Sequence, residues 1–252
     1  MGRKLAEITD LTKSYGNSGF QSQVIRGISM DIYEGDFLAV MGPSGAGKTT
    51  LLNLLSTLDK PDGGRILLDG EDLGRAGNRR LSEIRRDKIG FIFQEYNLLD
   101  NMTLEDNIAL PLALNGVEPG QVQERVRHMA ELFGLSRHLS KYPWQLSGGQ
   151  KQRGASARAL VTDPEIVFAD EPTGALDSRS GRELLESLKQ ANEEGKATVL
   201  MVTHDAFAAS YARQVYFLTD GQIQCRLIRK ESRRAFYEKI LDMLASMGGE
   251  RE

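Results

Sequence analysis

The chain has 252 residues, which at about 150 residues per domain means one large domain, or one domain with a sizeable insertion. Hydrophobic residues at 40% and charged residues at 27% exclude a disordered composition and leave enough apolar mass for a real core. A formal net charge of −3 argues against a nucleic-acid partner, which selects for a basic excess, and a single cysteine, Cys225, excludes an internal disulfide and a cysteine-rich zinc site.

Residues 5–40 read as β. Leu5–Leu11 and Ile25–Ile32 alternate roughly between apolar and polar, as half-buried strands do. Tyr15–Gly19 and Glu34–Asp36 read as turns. Phe37–Met41 is an unbroken apolar run of five residues that stops at Gly42, the pattern of a strand buried on both faces. It is also the longest apolar run in the chain. A membrane-spanning helix needs about 20 such residues, so none is expected. The polar start, Met1–Glu7, predicts no signal peptide.

A glycine-rich loop follows Gly42, and Thr49–Ser56 reads as a helix. Pro61–Gly64 is a turn before a short strand at Arg65–Asp69. Residues 79–88 are dense in both charges and read as a solvated helix; Ile89–Phe93 reads as a short strand ending at Gln94. From about Glu95 to Leu160 the pattern turns helical, with Val122, Val126, Met129 and Phe133 at helical spacing and Gly134 placed as a C-cap. Ile166–Ala169 and Thr198–Val202 are two more buried-type strands, with a helix at 180–193 between them. Strand–helix–strand repetition predicts an α/β fold with a parallel sheet and helices on its faces. In the tail, 231–247, Phe236, Ile240, Met243, Leu244 and Met247 share a helical face.

Gly42–Thr49 satisfies G-x-x-x-x-G-K-[ST] between a buried strand and a helix, the context that makes this pattern informative. Glycines let the backbone curl and aim successive N–H groups at phosphate oxygens, and the helix N-terminus adds its positive dipole end. Lys48 supplies a charge for the β- and γ-phosphates, and the Thr49 hydroxyl suits Mg2+. Asp170 and Glu171 end a buried strand, where ligands of open α/β sheets collect. One carboxylate can serve a metal shell while the next orients water, though alone such a pair is more often a solvated turn. Leu146–Gln150, Leu-Ser-Gly-Gly-Gln, opens a further helical run. It reads either as a second anion nest or as an ordinary N-capped turn.

Taken together, these motifs resemble the nucleotide-binding subunit of ATP-binding cassette (ABC) transporters over about residues 5–224. The resemblance implies a single domain over 1–252 with a P-loop NTPase fold. That fold has a mostly parallel core sheet, an antiparallel β subdomain, an inserted helical subdomain at about 95–160, and here a helical tail at 226–252. It implies ATP and Mg2+ as cofactors. Tyr15 resembles the aromatic on which adenine stacks, and Gly42, Ser44, Gly45, Ala46, Gly47, Lys48, Thr49 and Thr50 correspond to the phosphate-binding loop. Gln94 resembles the Q-loop residue that reaches Mg2+ and couples to the membrane subunit. Asp170 resembles the metal-shell acid, alongside Thr49, and Glu171 the catalytic base. Asp177 resembles the aspartate of the D-loop that acts across a dimer, and His204 the histidine that contacts the γ-phosphate. Ser147, Gly149 and Gln150 belong to the family signature, which in a head-to-tail dimer closes over the ATP held by the second copy. Gly174 departs from the serine that many members carry before Ala175-Leu176-Asp177.

The family divides into functional branches. Gly90–Leu99 with Asp106–Leu112 resembles the branch of macrolide-exporter, lipoprotein-release and cell-division ATPases. Leu54–Asp59, Val202–Ala212 and Ser232–Leu244 are similar to the ATPases of bacitracin-type antimicrobial-peptide-resistance transporters. The resemblance implies an integral membrane permease as partner, a position on the cytoplasmic face of the membrane, and a sensory complex with a membrane histidine kinase. A chromosome or DNA-repair ATPase would need a long coiled coil between the P-loop and the signature, but Leu146 follows Lys48 by only 98 positions without sustained heptads. A translation factor would carry two cassettes. An ATPase of the cell-division kind, which signals rather than moves cargo, fits the sequence as well. Three surfaces stay open at this point. Tyr96, Leu98, Leu99 and Met102 suit either a permease-gripping patch or the insertion's own core. Arg226, Arg229, Lys230, Arg233 and Arg234 suit either a solvated face or anionic headgroups. The tail stripe packs on its own domain or waits for a partner.

Overall fold

The computed structural model describes residues 2–17 and 20–248. Its first strands, β1 (Lys4–Asn17) and β2 (Phe20–Tyr33), form a long antiparallel pair. β1 runs through Tyr15, so Tyr15–Asn17 are strand rather than turn; Ser18 and Gly19 lie outside the described residues. β3 (Phe37–Met41) leads to α1 (Lys48–Leu55), and β4 (Gly63–Leu68) with the short β5 (Glu71–Asp72) completes an antiparallel sheet ordered β2-β1-β4-β5. Next come α2 (Asn78–Asp87) and β6 (Ile89–Ile92). Charge-dense α2 is not wholly solvated, because Leu81 and Ile84 are buried on one side.

The helical insertion begins later than the sequence pattern suggests. α3 (Leu104–Leu114), α4 (Pro119–Leu132) and α5 (Gly148–Leu160) are helices, but residues 95–103 are not. Tyr96 and Asn97 have φ of 61° and 50°, and such left-handed residues interrupt a helix. α3 starts where Thr103 and Asp106 cap one another reciprocally, a device worth about 1 kcal/mol. The C-cap of α4 is Phe133, one residue before the expected Gly134, which follows with the left-handed φ of 63° that such an end favours.

β7 (Ile166–Asp170), α6 (Ser178–Glu193), β8 (Val199–Thr203) and the one-turn α7 (Ala206–Ala209) follow. The chain then forms a hairpin, β9 (Gln214–Thr219) and β10 (Gln222–Ile228), before the tail helix α8 (Arg233–Gly248). The core sheet runs β10-β9-β3-β8-β7-β6, and its pairings are parallel from β9 through β6. All five residues of β3 are buried. Phe37, Ala39 and Met41 face one core with the insertion, α6 and α8; Leu38 and Val40 face a second core with α1, α2 and the antiparallel sheet. That two-sided burial is why the strand reads as an unbroken apolar run.

The tail settles on its own domain. Phe236 and Ile240 are fully buried, and Met243, Leu244 and Met247 pack against the same core. Arg233 stacks on Tyr211 at 4.3 Å and on Phe207 at 5.1 Å. The Tyr211 hydroxyl donates to Glu186 at 2.8 Å; burial, then the Glu186 carboxylate, push its pKa up to about 12. The basic cluster is largely engaged with neighbours. Arg226 lies over Tyr216, Arg229 donates to the Ser210 carbonyl, and Arg234 pairs with Glu238.

Candidate active site

Four neighbouring parallel strands, in the order β3-β8-β7-β6, end on one edge of the core sheet. The loop after β3 is Gly42–Gly47, His204 follows β8, Asp170 ends β7 with Glu171 next, and Gln94 lies two residues beyond β6. The sheet topology therefore delivers to one line of carboxyl ends residues that are far apart in sequence, as open α/β sheets do at their binding crevice.

The loop has the shape that a phosphate cradle needs. Gly45 and Gly47 adopt φ of 80° and 101°, and a Cβ on Gly42 would stand 2.1 Å from the Leu218 carbonyl oxygen. Ala46 N–H donates to the Pro43 carbonyl, and the Ala46 carbonyl accepts from Gly221 N–H, both at 3.2 Å. Ser44 and Gly45 are exposed at the rim while Ala46, Gly47 and Lys48 are buried. Lys48 Nζ donates to the carbonyls of Gly42 at 2.9 Å and Pro43 at 3.0 Å, and stands 4.0 Å from Glu171 Oε1. α1 then opens with Lys48, Thr49 and Thr50, directing its unpaired N–H groups into the loop.

Thr49 Oγ1 donates to Asp170 Oδ1 at 3.3 Å. Burial pushes the Asp170 carboxyl above its usual range and the Glu171 charge adds to that, against the pull of Thr49 and Lys48. A hydroxyl beside a partly buried carboxylate is an oxygen donor set for a hard divalent ion, and positive charge there would relieve the cost of burying Asp170. No group of three or more His, Cys, Asp or Glu side chains among the described residues forms an all-protein cage. Mg2+ suits the pair, since it is commonly bound by one or two carboxylates with phosphates and water.

Glu171 sits at φ 42°, with its N–H donating to the Val202 carbonyl. Its Oε2 is 2.6 Å from His204 Nδ1. A Cβ on Gly174 would lie 3.2 Å from Gln94 Nε2 and 3.5 Å from Glu171 Oε2. A side chain at Gly174, where many family members carry serine, would crowd Gln94 and stand in van der Waals contact with the Glu171 carboxylate.

Tyr15 is half exposed at the end of β1. Its hydroxyl donates to Asp59 Oδ2 at 2.6 Å, and Lys13 Nζ lies 5.1 Å from the ring centroid. The signature opens α5, where the Ser147 hydroxyl caps the Gln150 N–H and the Gln150 side chain returns to Ser147 N–H. Gly149 is buried against α6; a Cβ there would meet Ser180 Oγ at 2.6 Å. Asp177 caps α6 by accepting from Arg179 and Ser180 N–H, each at 3.0 Å. The backbone and hydroxyl bonds of Ser180 hold its carboxyl below the usual range.

The structure thus joins Lys48, Thr49, Asp170, Glu171, His204 and Gln94, with Gly174 between the last of these and Glu171. It puts Tyr15 on the β subdomain and Ser147, Gly149 and Gln150 on the helical insertion. Sequence reading missed Gly221, whose N–H supports the P-loop and whose added Cβ would lie 2.2 Å from the Val24 carbonyl oxygen. The signal was present in Val215–Leu218 followed by Asp220-Gly221, an apolar run before a hairpin turn. Of the apolar residues near Gln94, Leu98 packs on the core while Leu99 is 42% exposed.

The sequence matches the family described as ABC transporter over residues 25–174, more than half of the chain. It is 45% identical over 246 residues to the ABC transporter ATP-binding protein YxdL of Bacillus subtilis, covering 97% of this chain and 95% of that protein. It is equally 45% identical over 246 residues to the bacitracin export ATP-binding protein BceA of Halalkalibacterium halodurans, covering 97% of each. Among solved structures, an ATP-binding cassette captured as a dimer in a post-hydrolysis state with ADP and Pi matches with a TM-score of 0.83. That match has 36% identity and covers 90% of this chain and 100% of that one. The chain belongs to the ABC transporter family, as an ATPase subunit. It binds ATP and has the α/β P-loop fold of these cassettes. Among the described residues no helix is long and apolar enough to cross a membrane.

Proposed function

We propose that two copies of this chain close head to tail on ATP, hydrolyse it, and drive a separate integral membrane permease that protects the cell envelope against peptide antibiotics. The observation that carries this reading is the 45% identity to a bacitracin export ATP-binding protein along 97% of both chains. In this reading the protein is peripheral, on the cytoplasmic face of the membrane, and has no nucleic-acid partner.

The loop N–H groups from Gly42 to Thr49 and the N-terminus of α1 bind the phosphates. Lys48, now bonded to the Gly42 and Pro43 carbonyls, turns outward to the β- and γ-phosphates, and the Tyr15 ring stacks on adenine. Thr49, Asp170 and Gln94 would hold Mg2+, which when bound would supply positive charge against the phosphates. Glu171 orients water and accepts its proton. His204, already at 2.6 Å from Glu171, fixes that carboxylate and faces the γ-phosphate. Ser147, Gly149 and Gln150 close from the second copy, and Asp177 acts across the same interface, so hydrolysis requires the closed dimer. The chain forms a single nucleotide-binding domain with its insertion at about 95–160 and its tail from about 226. Leu99 and its neighbours by Gln94 grip the permease.

ATP turnover in this reading also reports drug flux to a membrane histidine kinase through the permease. The experiment is gene deletion with complementation by wild type or Glu171→Gln. Sensitivity to bacitracin or lantibiotics should rise on deletion and be rescued only by wild type. Unchanged sensitivity across the panel with failed lipoprotein sorting or cell division would overturn the peptide-antibiotic reading and assign the chain to the lipoprotein-release or cell-division type, acting by signalling or mechanical coupling.

A further inference from the structure

The hydrogen bonds around the signature fix the state of a histidine that lies outside the motifs. Gln150 Oε1 accepts from Ser147 N–H at 3.0 Å. Only the amide oxygen can accept, so this bond sets which end of the side chain is which. The amide nitrogen then lies 3.2 Å from His138 Nε2. An amide NH2 donates and does not accept, so His138 Nε2 must carry the lone pair and the ring proton must sit on Nδ1. On the other side of the ring, His138 Nδ1 is buried without a hydrogen-bond partner. Gln150 is therefore the contact that selects the tautomer.

We propose that His138 is a positioning residue for the signature: as a neutral imidazole protonated on Nδ1, it holds the Gln150 amide so that Gln150 and Ser147 face nucleotide in a fixed geometry. This rests on the reading that the signature meets the ATP held by a second copy. The backbone around His138 is itself anchored. Its N–H donates to the Leu135 carbonyl at 2.8 Å, and its carbonyl accepts from Lys141 N–H at 3.0 Å. The ring is thus presented to Gln150 by a turn that packs through Leu135 into the core.

The charge state follows from the surroundings. Burial, followed by the charges of Lys141, Arg153 and Arg137, holds the imidazole below its ordinary value of 6.5. Lys141 and Arg137 come from its own connection and Arg153 from α5. Arg153 is also paired with Glu183 of α6. Below that range the ring gains a proton on Nε2, and two donors then face each other. Rotating the Gln150 amide relieves that clash only by turning NH2 toward Ser147 N–H, which breaks the reciprocal cap. Acid at His138 is in this way transmitted to the signature without touching the P-loop.

The test combines nitrogen-15 NMR of the full chain with steady-state ATPase kinetics between pH 5.5 and 8. The three histidines are assigned with His138→Gln, whose amide oxygen can take the place of Nε2. At neutral pH His138 should show the Nδ1–H tautomer. His138→Phe should lower kcat about two- to tenfold, the worth of one hydrogen bond, with the KM for ATP unchanged, because the P-loop is intact. His138→Gln should keep kcat within about twofold and remove the acid-side step that the wild type shows. An Nε2–H tautomer overturns the assignment, and so does a Phe variant with wild-type kcat and pH profile. Ser147→Arg tests the underlying reading separately: an ATP-trapped dimer that survives it defeats the cross-dimer role, while the NMR result on His138 stands independently.

Discussion

The His204 imidazole meets the Glu171 carboxylate at 2.6 Å, bridging the ends of two adjacent parallel strands. Glu171 is simultaneously 4.0 Å from Lys48, so one carboxylate is held between two side chains that have separate work to do on nucleotide. Its side chain is only 18% exposed while that of His204 is 64% exposed. The carboxylate is thus largely enclosed, and the imidazole that meets it lies toward the open side of the site.

Replacing Glu171 by Gln keeps the shape and removes the base. ATP binding should persist, turnover should fall by about a hundredfold or more, and Mg-ATP should trap a dimer. Sedimentation velocity of the variant with and without Mg-ATP reads this, repeated with the permease bound. Turnover near the wild-type rate would exclude Glu171 as the base.

Lys48→Ala removes a cation aimed at the phosphates. A charge-assisted hydrogen bond contributes about 1.5–3 kcal/mol, so the dissociation constant for Mg-ATP should rise about ten- to a hundredfold. Calorimetric titration measures it, and an unchanged constant would remove the loop from nucleotide binding. The fold should survive, because the hydrogen bonds lost are to the loop carbonyls of Gly42 and Pro43, and the Glu171 contact is a 4.0 Å ion pair.

Asp170 predicts a conflict between stability and function. Its carboxyl is raised above the usual value of 3.8, first by burial and then by Glu171. The folded chain therefore holds this proton to higher pH than the unfolded chain does. Its contribution to stability is complete below the unfolded value and is lost as pH rises through the folded one. Without nucleotide or divalent metal, Asp170→Asn should unfold at a higher temperature than wild type near pH 7.5, and the gap should narrow toward pH 4.5. Added Mg-ATP should raise the wild-type midpoint more than the variant's. A gap that widens in acid would contradict the assignment.

Much of this architecture was readable from local pattern. The run Phe37–Met41 announced a strand buried on both faces because each of its side chains meets one of two cores. Gly42–Thr49 announced its loop because the required backbone torsions select glycine. Residues 95–103 misled: their apolar content resembles helix, yet Asn107 on α3 fastens the stretch by bonding to Leu99 N–H and to the carbonyls of Leu99, Met102 and Thr103. Such a side-chain hub has no periodicity to detect. His138 was invisible for a related reason, since its meaning lies in a contact with Gln150 twelve positions away. Gly221 supports Ala46 from the far end of the chain: the sequence shows its hairpin turn, and the pairing of β9 with β3 brings that turn to the loop.

The tail helix is the feature for which sequence left two outcomes, and its packing makes a stability prediction. Phe236 and Ile240 are fully buried in the core that also holds Tyr211, Phe217, and Phe37 and Met41 of β3. Truncating a buried phenylalanine to alanine costs about 3–5 kcal/mol and a buried isoleucine about 2–5 kcal/mol. Phe236→Ala and Ile240→Ala should therefore each lower the urea midpoint clearly, with an unchanged slope. The exposed Leu241, on the same helix but 42% accessible, supplies the control, and Leu241→Ala should stay within about 0.5 kcal/mol of wild type. A tail reserved for another protein would give the reverse order, with Phe236→Ala silent in the isolated chain and costly only in complex. Denaturant titration of the three variants decides between a helix that completes this fold and one that awaits a partner.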